Sequence, residues 1–235
     1  MTLDRTRVQF FFDPMCPWAY QTSVWLRRVR ELRPLAITWR FFSLEEINRP
    51  EGKRHPWERP LAYGWTPMRV GAWLRRIDGE EGSDLCGGWY EACGHALHRD
   101  GRRPYDVAVA RELLADIGAP EDAWARALQD STTHDDVRGD HQEAVERHGG
   151  FGVPIIVIDE GAPGAGRAVF GPVVVPAPDG ADALALWDLT VAFSRVPGLY
   201  ELKTPKTADD QHAIGRAFAP YLAAREWQTI QRPAP

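Results

Sequence analysis

The order of three short segments near the start constrains this chain more than any other feature. Residues 8–12 form a nearly continuous apolar run, which reads as a strand buried on both faces. The sequence "DPMCP" breaks that run. From Cys16 to about Leu32 the pattern turns helical: Trp25, Val29 and Leu32 share a face, and Arg27, Arg28, Arg30 and Glu31 lie off it. Residues 35–42 then alternate, with Ile37, Trp39 and Phe41 on one side. Strand, helix and strand in that order make a βαβ unit, with parallel strands and a right-handed crossover.

Residues 48–149 show no convincing strand, and a structureless loop of that length has no place in a compact domain. The segment is therefore predicted to hold four or five helices. Pro67, Pro104 and Pro120 stand at helix starts, and Gly118 and Gly149 act as C-terminal stops. Strand character returns at "GVPIIVID", and a Gly-rich turn leads into "RAVFGP" as an antiparallel hairpin. A last helix is expected over residues 182–195, with Leu184, Trp187, Leu189, Val191 and Phe193 mostly inward. Residues 1–47 and 150–205 then form one discontinuous α/β domain, 48–149 an all-helical insertion, and 206–235 an extension with a frayed end.

Cys16 sits where that first helix opens. A helix N-terminus offers unpaired N–H groups and the positive end of the macrodipole, and both favour a thiolate. Pro17 suits the first helical position, since its missing N–H would be unpaired there anyway. An activated thiolate is one reading of Cys16; a small buried apolar residue is the other. Pro154 bears on the choice. A proline opening a strand needs a reason, and a cis Val153–Pro154 bond would turn the Val153 backbone outward, toward a thiol ligand beside Cys16.

The order βαβ, helical insert, ββα, with Cys-Pro at the first helix and "VP" before the third strand, resembles the DsbA-like thioredoxin-fold oxidoreductases. "FDPMCPWAYQTSVWLRRV", "SLEEIN", "FGPVV" and "VAFSRVPGLYEL" are more closely similar to the actinobacterial mycothiol-dependent nitroreductase family within that group. The resemblance covers roughly residues 8 to 205. It implies a cytoplasmic reductase that exchanges electrons with a low-molecular-weight thiol, mycothiol or glutathione. Such relatives carry a second cysteine three residues after the first, where this chain has Ala19.

Three cycles remain open with one sulfur. Cys16 can form a mixed disulfide that a second small thiol resolves. Cys86 or Cys93, seven residues apart, can resolve it from the insert or merely fill a helix's apolar side. The protein can instead be a thiol-dependent isomerase or transferase like the hydroxychromene carboxylate isomerases of the same fold, although those often carry serine at the first cysteine. Outside catalysis, it can be a small-molecule-binding protein that kept the pocket.

Candidate helpers each have a bland counterpart. Pro14 shapes the loop before Cys16. Trp18 can cover the sulfur and meet an aromatic substrate, or simply pack. Asn48, near the thiol site in the resembling family, can donate to a nitro or carboxylate oxygen, or cap a turn. Tyr63 and Trp65 can roof the pocket or pack the insert. His98 matches a family position and can protonate an intermediate near neutral pH, or be structural. Cys93, His95 and His98, like His134, His141 and His148, match no zinc spacing, and the second set reads as a solvated helix face.

A net charge of −5 points away from nucleic acid. No phosphate loop or dinucleotide fingerprint appears. No run approaches a membrane span, and residues 1–14 lack a secretory pattern, so a cytoplasmic protein is expected, monomer or homodimer. Small-molecule thiols and aromatic or electrophilic compounds are the expected partners, with neither metal nor nucleotide as cofactor.

Overall fold

The computed structural model describes residues 5–78, 84–159 and 166–225. Its first three elements are β1 (Thr6–Phe12), α1 (Pro17–Leu32) and β2 (Leu35–Phe41), with β1 and β2 parallel from Thr6↔Leu35 to Phe12↔Phe41. The short α2 (Leu44–Ile47) follows. The insert then supplies α3 (Trp65–Asp78), α4 (Asp84–His98), α5 (Val107–Asp116), α6 (Ala123–Gln129) and α7 (Thr133–Glu146). The chain returns through β3 (Ile155–Ile158), β4 (Val169–Phe170), α8 (Gly180–Arg195) and α9 (Ala208–Ala224). Strand order is β2-β1-β3-β4, and β3 is antiparallel to both neighbours. The Gly-rich turn expected between β3 and β4 lies mostly outside the described residues, as does the frayed C-terminal end.

Period-two alternation sorts the sheet into two buried faces. Phe10, Phe12, Ile37, Trp39, Phe41, Ile156 and Ile158 join Trp25, Leu26 and Val29 of α1 and Trp187 of α8. Phe11, Ile155 and Val157 turn the other way, onto Phe42 and Ala144 of α7. Each fully buried phenylalanine of β1 contributes about 1.5–3 kcal/mol, which fixes β1 as the sheet's centre. The insert has a core of its own, with Val70, Leu74, Trp89, Cys93, Leu113, Leu114 and Trp124.

Several expectations need correction. Leu32 and Leu189 are half-exposed: Leu32 lies in α1's final turn, and α8 buries the stripe Ala183, Trp187, Thr190 and Ser194. α8 carries apolar residues on several sides, so composition alone points to the wrong stripe. The histidine face is not solvated. Trp65 Nε1 donates to His134 Nδ1 at 2.8 Å, and His141 is buried, its Nδ1 accepting from the Ser43 N–H at 3.2 Å. His148 meets Phe11 edge-on at 5.8 Å. On the same side, Asp140 receives Arg40 at 2.8 Å and Arg75 at 2.6 Å, so this is how α7 locks onto β2. Finally, α9 has no counterpart among the expected elements. Pro220 within it hides its periodicity, although Thr207 and Asp210 form a capping box at its start.

α4 approaches the α/β core closely through two glycines seven residues apart. A Cβ on Gly87 would lie 2.5 Å from Trp39 Nε1, and one on Gly94 would lie 2.3 Å from the Tyr20 ring. Gly94→Ala should therefore lose roughly 1–3 kcal/mol of stability by overpacking. Gly139→Ala, in α7 with nothing within 4 Å of the new methyl, should gain up to about 1 kcal/mol. Urea midpoints that move in the same direction for both would contradict this packing.

Candidate active site around Cys16

The end of β1 and the start of α1 build the site. Asp13 is fully buried, and its carboxylate accepts from the N–H of Met15 at 2.9 Å and of Leu44 at 2.8 Å. The Cys16 N–H donates to the Asp13 carbonyl at 3.0 Å, closing the turn that presents Cys16 as N-cap of α1. Gly64 is required beside it, because a Cβ there would stand 2.6 Å from an Asp13 oxygen. Burial pushes Asp13 up to about 7 against the two N–H donors.

The sulfur accepts from the Ala19 N–H at 3.4 Å and lies 3.7 Å from the Val153 carbonyl oxygen. The Val153–Pro154 peptide is cis, as expected, and Pro154 is buried where the chain enters β3. The thiol is only 7% exposed. Here the expectation of a thiolate reverses. Burial raises Cys16 to about 12, outweighing the Ala19 and Trp18 N–H groups that lower it. Helix-end dipoles are readable from sequence, but the desolvation that overrides them arises from tertiary packing.

Pro14 and His98 act together. Pro14 is buried, and its carbonyl can only accept, so His98 Nε2 carries the proton donated to it at 2.9 Å. His98 stacks on Tyr20 at 5.0 Å, and burial lowers it to about 4. It braces the Cys16 loop, and burial favours its neutral ring. Pro17 occupies the first turn of α1. Trp18 is half-buried and packs edge-on against Phe218 of α9 at 4.8 Å, while Tyr221 of α9 meets His98 at 5.2 Å. α9 thus packs on both Trp18 and His98.

The remaining candidates divide. Trp65 is fully buried in the same cluster as Cys16, with Trp57 beside it at 5.1 Å. Tyr63 packs on Tyr105 at 4.9 Å, in the cluster that holds Met15 and Tyr221. Asn48 is exposed and its amide donates to the Leu44 carbonyl at 2.9 Å, so it caps α2. Cys86 is buried in the main cluster and Cys93 in the insert's core, where burial raises its thiol. Among the described residues no three His, Cys, Asp or Glu side chains converge as metal ligands. Sequence reasoning missed Asp13, whose only signal was a charged residue ending a buried strand, and the aromatic cover from α9.

Asp13 and His98 make opposite contributions to pH dependence. His98 binds a proton near 6.5 when unfolded and near 4 when folded, so its contribution is lost as pH falls through that window. Asp13 rises from 3.8 to about 7, so its contribution is present at low pH and lost as pH climbs through 7. Between pH 7 and 4 each should shift stability by about 3 kcal/mol, in opposite directions. Unfolding free energies of His98→Gln and Asp13→Asn, each compared with the parent across that range, should diverge with opposite slopes. Parallel slopes would refute the assignment.

A lone sulfur capping the first helix of a βαβ unit, facing the peptide before a cis-proline, defines a thioredoxin-fold protein of the DsbA-like class. The chain belongs to the Rv2466c-like family of mycothiol-dependent nitroreductases, whose sequence profile matches residues 15–204. It is 49% identical over 227 residues to the uncharacterized protein Rv2286c of Mycobacterium tuberculosis, covering 97% of this chain and 94% of that one. A probable DsbA oxidoreductase from Streptomyces coelicolor superposes with a TM-score of 0.57 at 19% identity, over 86% of this chain and 95% of that one. A 2-hydroxychromene-2-carboxylate isomerase superposes with a TM-score of 0.56 at 17% identity, over 80% and 95%. At these identities the two structures establish the fold. Among the described residues no helix is long and apolar enough to cross a membrane.

Proposed function

We propose that this protein is a single-thiol reductase of the cytoplasm, in which Cys16 and a low-molecular-weight thiol, mycothiol by family membership, reduce disulfides or nitro-bearing aromatics. The observation that carries this reading is the sulfur's position, 3.4 Å from the Ala19 N–H and 3.7 Å from the Val153 carbonyl. A disulfide entering there exchanges with Cys16: a Cys16–S–S–R bond forms, the R–S–S–R′ bond breaks, and R′S⁻ leaves with the Cys16 proton. Mycothiol then attacks the Cys16 sulfur, so that RSH leaves and a Cys16–mycothiol disulfide forms; a second mycothiol attacks that bond, giving mycothiol disulfide and the Cys16 thiol. With a nitroaromatic, Cys16 and one mycothiol together supply two electrons, giving the nitroso compound, water and the Cys16–mycothiol disulfide. A second mycothiol releases Cys16.

Burial is the largest cause holding Cys16 as a thiol, and the two N–H donors remain when that burial is relieved. Relieving that burial moves the sulfur back toward the thiolate. The charge of Asp13 works the other way, opposing ionisation of Cys16. Trp18, Trp57 and Trp65 give the surrounding cluster its aromatic character.

Incubation with mycothiol disulfide followed by peptide mass spectrometry tests the reading. One mycothiol on Cys16, and none on Cys86 or Cys93, is the expected result. An unmodified Cys16 after prolonged incubation would overturn it.

A further inference from the structure

A cavity of about 540 Å³ opens between the end of α7, the β3–β4 edge and the segment after α8. That volume lies within the roughly 300–1,000 Å³ of small-molecule sites. Val157 and Ala168 among its walls belong to the α7 side of the sheet, whereas Cys16 lies in the cluster on the other face. The cavity is separate from the thiol site.

Among its described lining residues the fixed charges are those of Arg147 and Arg167, and none is Asp or Glu. Arg167 Nη2 donates to the carbonyls of Val196 at 2.8 Å and Leu199 at 2.9 Å, which fixes the guanidinium in place. Its Nη1 and Nε make no hydrogen bond among the described residues. Arg147 Nη1 stands 3.5 Å from Glu143, a carboxylate that also pairs with Arg40. Three aromatic side chains complete the lining: Phe193, the partly exposed Phe170, and Tyr200, which is 82% exposed. The Arg167 guanidinium sits 5.5 Å from the Tyr200 ring centroid.

We propose that this cavity binds a small flat aromatic carboxylate. Its ring lies against Phe170, Phe193 and Tyr200, and its acid group accepts from Nη1 of Arg167, on the side where Arg147 also lines the cavity. Nη1 keeps its donors for one carboxylate oxygen, and fixing the guanidinium beforehand lowers the ordering cost of binding. The site does not depend on the reaction at Cys16.

Calorimetric titration of the full chain with 1-naphthoate, beside the neutral 1-naphthalenemethanol, tests this. The acid should bind at least about tenfold more tightly than the alcohol. Arg167→Gln should erase that preference. Because Arg167 also holds residues 196–199, Arg147→Gln and Tyr200→Ala serve as second variants, each weakening the acid with the fold intact by circular dichroism. Amide shifts should centre on Gly166, Ala168 and Phe170, and alkylating Cys16 should leave the affinity unchanged. Equal affinity for acid and alcohol, absence of heat up to the solubility limit, or shifts centred on residues 14–19 would each overturn the proposal.

Discussion

Cys16→Ser should abolish formation of the mycothiol mixed disulfide and lower thiol-dependent reduction at least about a thousandfold, with little change in thermal stability. A hydroxyl can accept from the Ala19 N–H much as the sulfur does at 3.4 Å, so the cap of α1 survives. It cannot form a disulfide, and a hydroxyl is a far poorer nucleophile than a thiol. Stopped-flow consumption of mycothiol, with a disulfide or nitroaromatic acceptor, reads the rate, and differential scanning calorimetry reads the fold. Undiminished mycothiol turnover would remove Cys16 from the reaction. Undiminished conversion of an aromatic substrate without net electron transfer would instead favour the isomerase or transferase reading. The stability readout matters because Cys16 packs in the main core, and a collapsed fold would mimic lost chemistry.

What the sequence disclosed follows from how local each cause is. β1, α1 and β2 were legible because burial on two faces, a helical stripe and strand alternation each leave a periodic trace within a few residues. The position of Cys16 at a helix start, and Pro154 beside it, was legible for the same reason. The sulfur's ionisation was not. Dipoles at a helix end belong to adjacent peptides, but the apolar surroundings that raise Cys16 come from segments as far apart as Trp65 and Tyr90. The histidines of α7 show a similar failure. A seven-residue spacing puts them on one face, and only the Phe42–His141 contact at 4.8 Å and the Asp140 ion pairs reveal that this face is turned inward. α9 was hidden by its proline and by a mostly exposed surface; what anchors it is Phe218 on Trp18 and Tyr221 on His98.

Ala19→Cys should shorten the lifetime of the Cys16–mycothiol adduct at least about a hundredfold, and the variant should be isolable with a disulfide joining Cys16 to the introduced thiol. Ala19 is fully buried one turn into α1, and residues three apart on a helix have Cα atoms about 5 Å apart, within the roughly 4.4–6.8 Å that a disulfide spans. A thiol held at that distance attacks the mixed disulfide as an intramolecular partner, with an effective concentration no external thiol reaches. The adduct that accumulates in the parent protein should therefore be fleeting in the variant, and release of the first thiol should no longer depend on mycothiol concentration. Quenched-flow mass spectrometry gives the adduct lifetime. The same measurement on Ala19→Ser separates the new sulfur from the cost of crowding a buried position, since serine adds a γ atom without redox chemistry. A lifetime unchanged in Ala19→Cys, with the fold intact, would mean that the adduct is not formed by the sulfur at the cap of α1, and the single-thiol cycle would have to be abandoned.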